Sequence, residues 1–248
     1  MNSIVIAEIT QNNEIARGIY KICLKLPAHY PRPSPGQFVN LYLNDQSRLL
    51  PRPFSICDWV EGVLTLVYAV VGDGTKIISD YGNGSMIRIS SPLGTGFVTE
   101  GLKNCVLVGG GVGTAPLLFL AKTLAANSKS RAMLGFRCEP FLADEFPCPT
   151  EIATDNGAVG FNGNVLEMLE KANIPADTQL FACGPKPMMR ELAKYADQHR
   201  VALQVSLEER MGCGYGACVG CVCKTIDGNR KVCEDGPVFD GKEVMWDA

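Results

Sequence analysis

Cysteines crowd into the C-terminal part of the chain at a spacing that suits an inorganic centre. Of 11 cysteines in 248 residues, five lie between Cys213 and Cys233. They follow the order Cys213-x4-Cys218-x2-Cys221-x-Cys223, and Cys233 comes after nine intervening residues. Tetrahedral zinc sites usually pair their cysteines in two short knuckles, whereas C-x4-C-x2-C with a distant fourth cysteine is the plant-type [2Fe–2S] spacing. The pattern therefore predicts a [2Fe–2S] cluster, with structural zinc and free redox thiols as the alternatives.

Four of these cysteines are the predicted cluster ligands: Cys213, Cys218, Cys221 and Cys233. Glycines at positions 212, 214, 216 and 220 would let backbone N–H groups approach the sulfurs, which makes it easier to gather thiolate and sulfide charge. Cys223 is the spare, because residues two apart on a strand return to the same face, where Cys221 already fills the cluster position. The last 40 residues hold too few large apolar groups for an ordinary core, so we expect the centre to organise their fold.

Two segments in the N-terminal part have the groups that a flavin nucleotide needs. The run Arg52-Pro53-Phe54-Ser55 opens a strand, where the guanidinium offers a planar fork to a phosphate and the serine and strand backbone can meet an isoalloxazine edge. The segment Val67-Tyr68-Ala69 then runs through a glycine turn into Gly74-Thr75, where a helix begins whose free N–H groups can hold a pyrophosphate. Taken alone, the first run also fits a strand-opening turn with a solvated arginine, and Tyr68 equally fits a core position.

Two further loops have the glycines of a dinucleotide site. The run Gly109-Gly110-Gly111-Val112-Gly113-Thr114 follows a buried strand and opens a helix, the context that a dinucleotide loop needs, with a tight turn without a ligand as the alternative. Cys183-Gly184-Pro185 also ends a strand and starts a helix, so both loops should reach the same carboxyl edge of one sheet. Cysteine is small and polarisable, and we predict that Cys183 lies beside the nicotinamide as the candidate catalytic residue. Arg137, at the end of the second strand, leaves NADP open as an alternative to NAD.

The elements that position these residues change character along the chain. Residues 1–98 contain short β-rich runs separated by proline and glycine, which predicts an antiparallel barrel with one short helix at residues 75–81. Residues 99–208 alternate strand and helix, which predicts a Rossmann-like parallel sheet with helices on both faces. Residues 209–248 form the predicted cluster domain. The fold class is therefore multidomain β plus α/β, with flavin, dinucleotide and cluster domains in that order.

Composition excludes several classes of protein. The formal net charge is −3, from 23 basic and 26 acidic residues, which gives no positive field for nucleic acid or for an anionic membrane surface. The start MNSIVIAEIT lacks the features of a secretion signal, and no apolar run reaches the ~18 residues of a membrane span. We therefore expect a cytoplasmic protein without nucleic-acid or membrane partners, in which the cysteines are not a disulfide framework.

The three predicted sites together indicate an electron relay. A nicotinamide exchanges two electrons as hydride and a [2Fe–2S] cluster takes one, so a flavin, which exchanges both ways, has to stand between them. The rival from another class is a flavin-binding regulator with a zinc-stapled tail and no turnover.

The same motifs resemble those of known redox proteins. Arg52-Pro53-Phe54-Ser55, Gly74-Thr75, the loop at residues 109–116 and the Cys183 loop resemble the ferredoxin–NADP reductase superfamily. The tail segments 209–224 (ERMGCGYGACVGCVCK) and 231–239 (KVCEDGPVF) are similar to the electron-transfer subunits of class 1B dihydroorotate dehydrogenases. The resemblance covers essentially the whole chain.

That resemblance implies one FAD, one [2Fe–2S] cluster and NAD as electron acceptor, with FAD on residues 52–55, residues 67–69 and Gly74-Thr75. It also implies a separate FMN-bearing catalytic subunit, which holds the dihydroorotate pocket, in a heterotetramer with two copies of each chain. Electrons would pass from the partner's FMN through the cluster and FAD to NAD+ in pyrimidine biosynthesis, and this chain alone would not oxidise dihydroorotate. Subunits of ferredoxin-type NAD(P)H reductases in other redox complexes share these domains and are the alternative.

Overall fold

The computed structural model describes residues 3–45, 49–126 and 128–246. The N-terminal elements are β1 (Ile4–Ala16), β2 (Ile19–Lys25), β3 (Phe38–Tyr42), β4 (Arg52–Val60), β5 (Val63–Ala69), α1 (Asp73–Ser79) and β6 (Met86–Ser90). The middle elements are β7 (Asn104–Gly110), α2 (Thr114–Leu124), β8 (Lys129–Phe136), β9 (Thr150–Thr154), β10 (Phe161–Asn162), α3 (Val165–Lys171), β11 (Thr178–Cys183), α4 (Lys186–His199) and β12 (Ala202–Ser206). The tail elements are β13 (Val222–Thr225), β14 (Gly228–Lys231) and β15 (Val238–Asp240).

The six N-terminal strands close into a barrel in the order β1-β2-β5-β4-β3-β6, with antiparallel pairing throughout. Alternate residues of the strands face the interior, where they form a fully buried apolar core. Members of that core are Ile9, Ile22, Leu41, Leu66 and Ile89. The predicted barrel is confirmed, and its short helix α1 begins and ends two residues earlier than the sequence pattern indicates.

The middle strands form an open sheet in the order β10-β9-β8-β7-β11-β12-β15. The six strands β7 to β12 all run parallel, and β15 pairs antiparallel with β12. Helix α2 packs on one face of this sheet, and α3 and α4 pack on the other, so the predicted Rossmann-like arrangement is confirmed. The strand order reverses between β7 and β11, which is where open α/β sheets bind their ligands.

The tail leaves the sheet after β12 and later returns to it. Strands β13 and β14 form a hairpin, and β15 then adds to the edge of the sheet with Ser206 opposite Val238. In the segment between β14 and β15, the Gly236 carbonyl accepts a hydrogen bond at 2.6 Å from the N–H of Thr95, which follows the last barrel strand. The Leu207 N–H donates to the Pro237 carbonyl at 2.8 Å. The tail is therefore fastened to both of the other parts of the molecule.

Helix α2 joins the barrel to the sheet. Its Phe119 is buried in the barrel core, and its Lys122 forms an ion pair with Asp58 of β4 at 2.5 Å. In the other direction, Cys57 and Val67 of the barrel pack into the core beneath α2. The strands that carry the flavin motifs therefore lie directly against the dinucleotide domain. None of the helices among the described residues has the length and apolarity that crossing a bilayer would take.

Candidate functional site

The barrel opens between β4 and β5 where the two predicted flavin segments lie. The ladder between these strands runs only from Ile56 opposite Leu66 to Val60 opposite Val63. Beyond it, residues 52–55 of β4 pair with β3 alone, and residues 67–69 of β5 pair with β2 alone. Each strand therefore turns one backbone edge towards the opening, without a ladder partner in the described chain. This pair of edges, the flavin edge, offers backbone donors and acceptors to a flat ring.

Arg52 and Gly74 meet beside the flavin edge. The Arg52 guanidinium lies over Gly74 so closely that a Cβ at residue 74 would overlap its nitrogen atoms. Its Nη1 donates to the Leu50 carbonyl at 2.5 Å. The Thr75 hydroxyl accepts from the Val71 and Gly72 N–H groups at 3.0 and 3.2 Å and donates to the Gly72 carbonyl at 2.9 Å, which fixes the turn before α1. The structure thus brings together the arginine and the glycine turn that the sequence predicts for the flavin phosphates.

Tyr68 turns its side chain into the barrel core and only its backbone to the flavin edge. The ring is 2% exposed, lies 5.8 Å from Tyr20 and 5.3 Å from Phe54 between ring centres, and donates its hydroxyl to Asn12 Oδ1 at 3.0 Å. Burial raises the pKa of the Tyr68 hydroxyl well above its usual value. The core reading of the side chain thus fits the geometry, and any flavin contact of Tyr68 would be through the main chain.

The two predicted dinucleotide loops pack backbone to backbone at the switch point. A Cβ at Gly110 would come within 2.7 Å of the Met188 sulfur and 2.9 Å of Pro185. A Cβ at Gly113 would overlap the main chain of Cys183, and one at Gly184 would lie 3.0 Å from the Gly110 nitrogen. These glycines are required by close approach, which brings the two loops that open α2 and α4 together at this edge of the sheet.

A cavity of about 680 Å³ opens in front of these loops. Its walls come from the flavin edge at Ala69, both glycine loops, residues 207–209 after β12 and residues 222–224 of the tail. This volume is in the range of small-molecule and cofactor sites. Arg137, an exposed side chain directly after β8, also lines the cavity, which keeps NADP open as an alternative to NAD.

Cys183 lies behind the cavity wall. Its side chain is 8% exposed and packs in the core beneath α2, while the next residue, Gly184, lines the cavity. Burial and then the charge of Glu208 raise the pKa of the Cys183 thiol to about 12, although a hydrogen bond with Ser206 lowers it. The thiol therefore stays protonated near neutral pH, which suits a small apolar neighbour of the dinucleotide and does not suit a nucleophile.

Backbone N–H groups in the tail point at the predicted cluster ligands. The Cys218 N–H donates to Cys213 Sγ at 3.3 Å, and the Gly216 N–H donates to Cys233 Sγ at 3.2 Å. Burial raises the pKa of Cys213, but hydrogen bonds led by the Tyr215 N–H outweigh it and lower that pKa to about 7. We call residues 212–220 the cluster loop.

Cys233 lies in the opposite environment to Cys213. Burial, followed by its contact with Cys221, raises the pKa of the Cys233 thiol to about 12. A buried thiol of this kind gives up its proton when a metal ion replaces it. No group of three or more histidine, cysteine or acidic side chains within residues 3–45, 49–126 and 128–246 is gathered for one metal ion. The contacts instead pair Cys213 with Cys218 and Cys221 with Cys233, which fits a cluster that shares four thiolates between two irons.

Three features of the site have no signal in the sequence. Cys223, the predicted spare, lies opposite Arg230 in the tail hairpin and lines the dinucleotide cavity with its neighbour Lys224. The fully buried Asn40 of β3 donates from Nδ2 to the Cys213 carbonyl at 3.1 Å. Lys231 donates to the Gly216 carbonyl at 2.5 Å. These contacts arise from folding the tail against the barrel and the sheet, so no local motif announces them.

Comparison with known proteins agrees with this geometry. Residues 208–245 match the family described as the iron–sulfur cluster binding domain of dihydroorotate dehydrogenase B. The chain is 39% identical over 247 residues to a protein of Caldanaerobacter subterraneus subsp. tengcongensis named "Dihydroorotate dehydrogenase B (NAD(+)), electron transfer subunit", covering 97% of this chain and 98% of the relative. A protein of the same name in Clostridium perfringens is 37% identical over 246 residues, covering 96% and 97%.

A solved structure with the same organisation belongs to another redox complex. It comes from work on flavin-based electron bifurcation in an NADH-dependent reduced ferredoxin–NADP oxidoreductase. The two chains superpose with a TM-score of 0.88 at 30% identity, covering 98% of this chain and 91% of the other.

Proposed function

Because the chain belongs to the family of electron transfer subunits of NAD-dependent dihydroorotate dehydrogenase B, we propose that it relays electrons between a catalytic partner and NAD+ in pyrimidine biosynthesis. When bound, its cofactors supply the electron chemistry: NAD+ accepts a hydride, the [2Fe–2S] cluster carries single electrons, and FAD exchanges both. The chain's own residues hold these groups, orient them and keep water from between them.

FAD is assigned to the flavin edge. The free backbone edges at residues 52–55 and 67–69 would bond the isoalloxazine, and Arg52 over Gly74-Thr75 would bind the phosphates through its planar fork. The fit rests on the cradle at Gly74, which only a residue without a Cβ leaves open to the guanidinium.

NAD is assigned to the cavity at the switch point. The pyrophosphate would lie on the loop that carries Gly109, Gly110, Gly111, Gly113 and Thr114, and the Gly184-Pro185 loop would border the other side. Cys183 supports the nicotinamide side from behind Gly184 as a neutral thiol.

The cluster is assigned to Cys213, Cys218, Cys221 and Cys233. The backbone N–H groups of the cluster loop that donate to Cys213 and Cys233 would stabilise charge on the bound sulfurs. Cys223 would remain a free thiol on the cavity wall.

One observation carries the proposal: a single cavity borders the flavin edge, both dinucleotide loops and the hairpin that follows the cluster loop. Ala69 belongs to the flavin edge, Gly110 and Gly184 to the dinucleotide loops, and Cys223 to the hairpin that follows the cluster loop. A relay needs its carriers close together, and this meeting of the three parts would bring the bound groups near one another. A regulator that only bound flavin would not require it.

The partner would be an FMN-bearing catalytic subunit that holds the dihydroorotate pocket, assembled with this chain as two copies of each. We expect the complex in the cytoplasm, because none of the 11 cysteines, all of which lie within the described residues, forms a disulfide bond, as in a reducing compartment.

Two measurements test the proposal. The purified chain should contain FAD, iron and acid-labile sulfide, and should give an EPR signal after addition of NADH. Stoichiometric zinc, without the colour of an iron–sulfur cluster in the tail, would refute the proposed relay. Co-expressed with an FMN-containing dihydroorotate dehydrogenase, the chain should co-purify with it and support dihydroorotate-dependent reduction of NAD+. Neither chain alone should do so.

The second candidate is a reductase subunit of a ferredoxin-linked complex. The solved structure at 30% identity and nearly full coverage favours it, and Arg137 at the cavity wall would suit the extra phosphate of NADP. Reduction of soluble ferredoxin by the chain with NADPH, and no co-purification with an FMN protein, would decide for this function.

A further inference from the structure

Asn40 connects the flavin edge to the cluster loop through a buried amide. It lies in β3 directly opposite Pro53 of β4, and it is fully buried. Its backbone N–H donates to Ser90 Oγ at 2.9 Å, and its Nδ2 donates to the carbonyl oxygen of Cys213 at 3.1 Å. One residue thus pairs with the strand assigned to FAD and bonds a predicted cluster ligand.

The cluster loop is shaped around this amide. Gly214 has a φ of +76°, and a Cβ at this position would overlap the Asn40 side chain, so glycine is needed there on two counts. Asn40 Oδ1 is buried at the same place and has no hydrogen-bond partner among the described residues. A buried amide oxygen without a partner is unfavourable, and native structures contain few of them. Its presence at the cluster loop indicates a role beyond filling the barrel wall.

The bond from Asn40 fixes the direction of one peptide plane. In a trans peptide the C=O and N–H groups point in opposite directions. Because the Cys213 carbonyl is held towards the barrel, the Gly214 N–H points away from the barrel and into the loop. Other N–H groups of that loop bond the sulfurs: the Cys218 N–H donates to Cys213 Sγ at 3.3 Å, and the Gly216 N–H donates to Cys233 Sγ at 3.2 Å.

We propose that Asn40 is a positioning residue for the [2Fe–2S] cluster, which holds the cluster loop against the flavin edge and keeps its backbone N–H groups directed at the sulfurs. Hydrogen bonds to the sulfurs favour the more negative, reduced form, so they raise the reduction potential of the cluster. Loss of the Asn40 bond lets the peptide after Cys213 turn and lowers that potential. The inference rests on the proposed function, because it takes a cluster on the four predicted cysteines.

The test compares Asn40→Leu and Asn40→Asp with Gln37→Leu in the full chain, purified with its FAD and iron. Asn40→Leu removes the amide and keeps the same branched arrangement of heavy atoms, and Asn40→Asp keeps the shape but, when ionised, has no proton to donate to Cys213. Gln37 is the matched control, since its side-chain amide bonds the Gly94 carbonyl at 2.8 Å and the Ser34 N–H at 2.9 Å, both outside the cluster loop. Redox titration followed by EPR and absorbance gives the midpoint potentials of the cluster and of FAD and the g values of the reduced cluster.

We expect both Asn40 variants to keep FAD at an unchanged potential. The equilibrium constant for one-electron reduction of the cluster should fall by about fivefold, which lowers the cluster potential by about 40 mV. Gln37→Leu should leave both potentials unchanged. Loss of iron from both Asn40 variants with FAD retained also supports the role. Unchanged cluster potential and g values in both variants overturn it, as does joint loss of FAD and iron, which would assign Asn40 to the barrel as a whole. The iron content of the wild-type chain, measured first, tests the proposed function separately.

Discussion

Replacing Gly74 by alanine should weaken FAD binding without weakening the fold. The new Cβ would overlap the Arg52 guanidinium, which is the mobile end of a long side chain and can move away at little energetic expense. Residue 74 lies inside α1, where alanine is favoured over glycine by about 1 kcal/mol, so the FAD-free protein should melt no lower than wild type. What the substitution removes is the placement of Arg52 beside the turn.

The expected magnitude follows from the bond that Arg52 would make. A hydrogen bond to a charged group contributes about 1.5–3 kcal/mol, so displacing the guanidinium from a phosphate should raise the dissociation constant of FAD by about 10- to 150-fold. Arg52→Ala should lose a similar amount. The double variant should lose no more than either single variant, because both substitutions remove the same interaction.

The assay is fluorescence titration of the FAD-free chain with FAD, for wild type, Gly74→Ala, Arg52→Ala and the double variant. Gly72→Ala is the control, because residue 72 has an extended φ of −175° and a Cβ there would meet nothing within 4 Å. Wild-type affinity in Gly74→Ala, or additive losses in the double variant, would refute the placement of the phosphates at this turn.

Further predictions concern the other two sites. Gly113→Ala should raise the KM for NADH by about tenfold or more through overpacking, because its Cβ would overlap the Cys183 main chain. Gly111→Ala is the comparison: its Cβ would meet nothing within 4 Å, at a φ of +53°, so the KM should change far less. Equal KM values for the two variants would contradict the packed loops. Cys233→Ser should lose iron and acid-labile sulfide while Cys223→Ser keeps both, and the reverse result would reassign the ligands. Burial raises the pKa of the Cys183 thiol from 9.0 in the unfolded chain to about 12 in the folded protein. The contribution of this thiol to stability is therefore fully present below pH 9.0 and is lost as the pH rises towards 12, because the unfolded chain gives up the proton first. Urea unfolding should therefore show wild type losing more stability than Cys183→Ala between about pH 8 and about pH 10, and parallel losses would contradict the buried neutral thiol.

The arrangement of the barrel and the sheet could be predicted because local periodicity determines it. Strands of the barrel alternate apolar and polar residues, and α2 repeats Leu117, Leu120, Ala121 and Leu124 on one face. The sequence of each element therefore predicts which of its faces is buried. The glycine loops were predictable for a related reason. A run such as Gly109-Gly110-Gly111 between a strand and a helix has a local geometric cause, and the structure puts it against Pro185 and Met188.

Contacts between distant segments could not be predicted in this way. Asn40 lies in an ordinary strand run and gives no sign of its bond to Cys213, 173 residues away in the chain. Lys224 and Cys223 read as part of a cysteine-rich tail, and only the folded hairpin brings them to the dinucleotide cavity. Likewise, Val238 to Asp240 is too short a run to identify as a sheet strand, and its pairing with β12 depends on where the whole tail is fastened.

The return of the tail to the sheet also sets the order in which the molecule can be completed during synthesis. Strand β12 leaves the ribosome before β15, so the outer edge of the sheet stays unpaired until residues 238–240 have been made. Exposed strand edges pair readily with other chains, which makes this interval the one in which nascent copies are most prone to aggregate. A chain cut after β12 would keep that edge open permanently. The cluster-bearing tail thus covers the sheet edge of the domain that precedes it. Low yields of fragments that lack the tail would be a consequence of this topology.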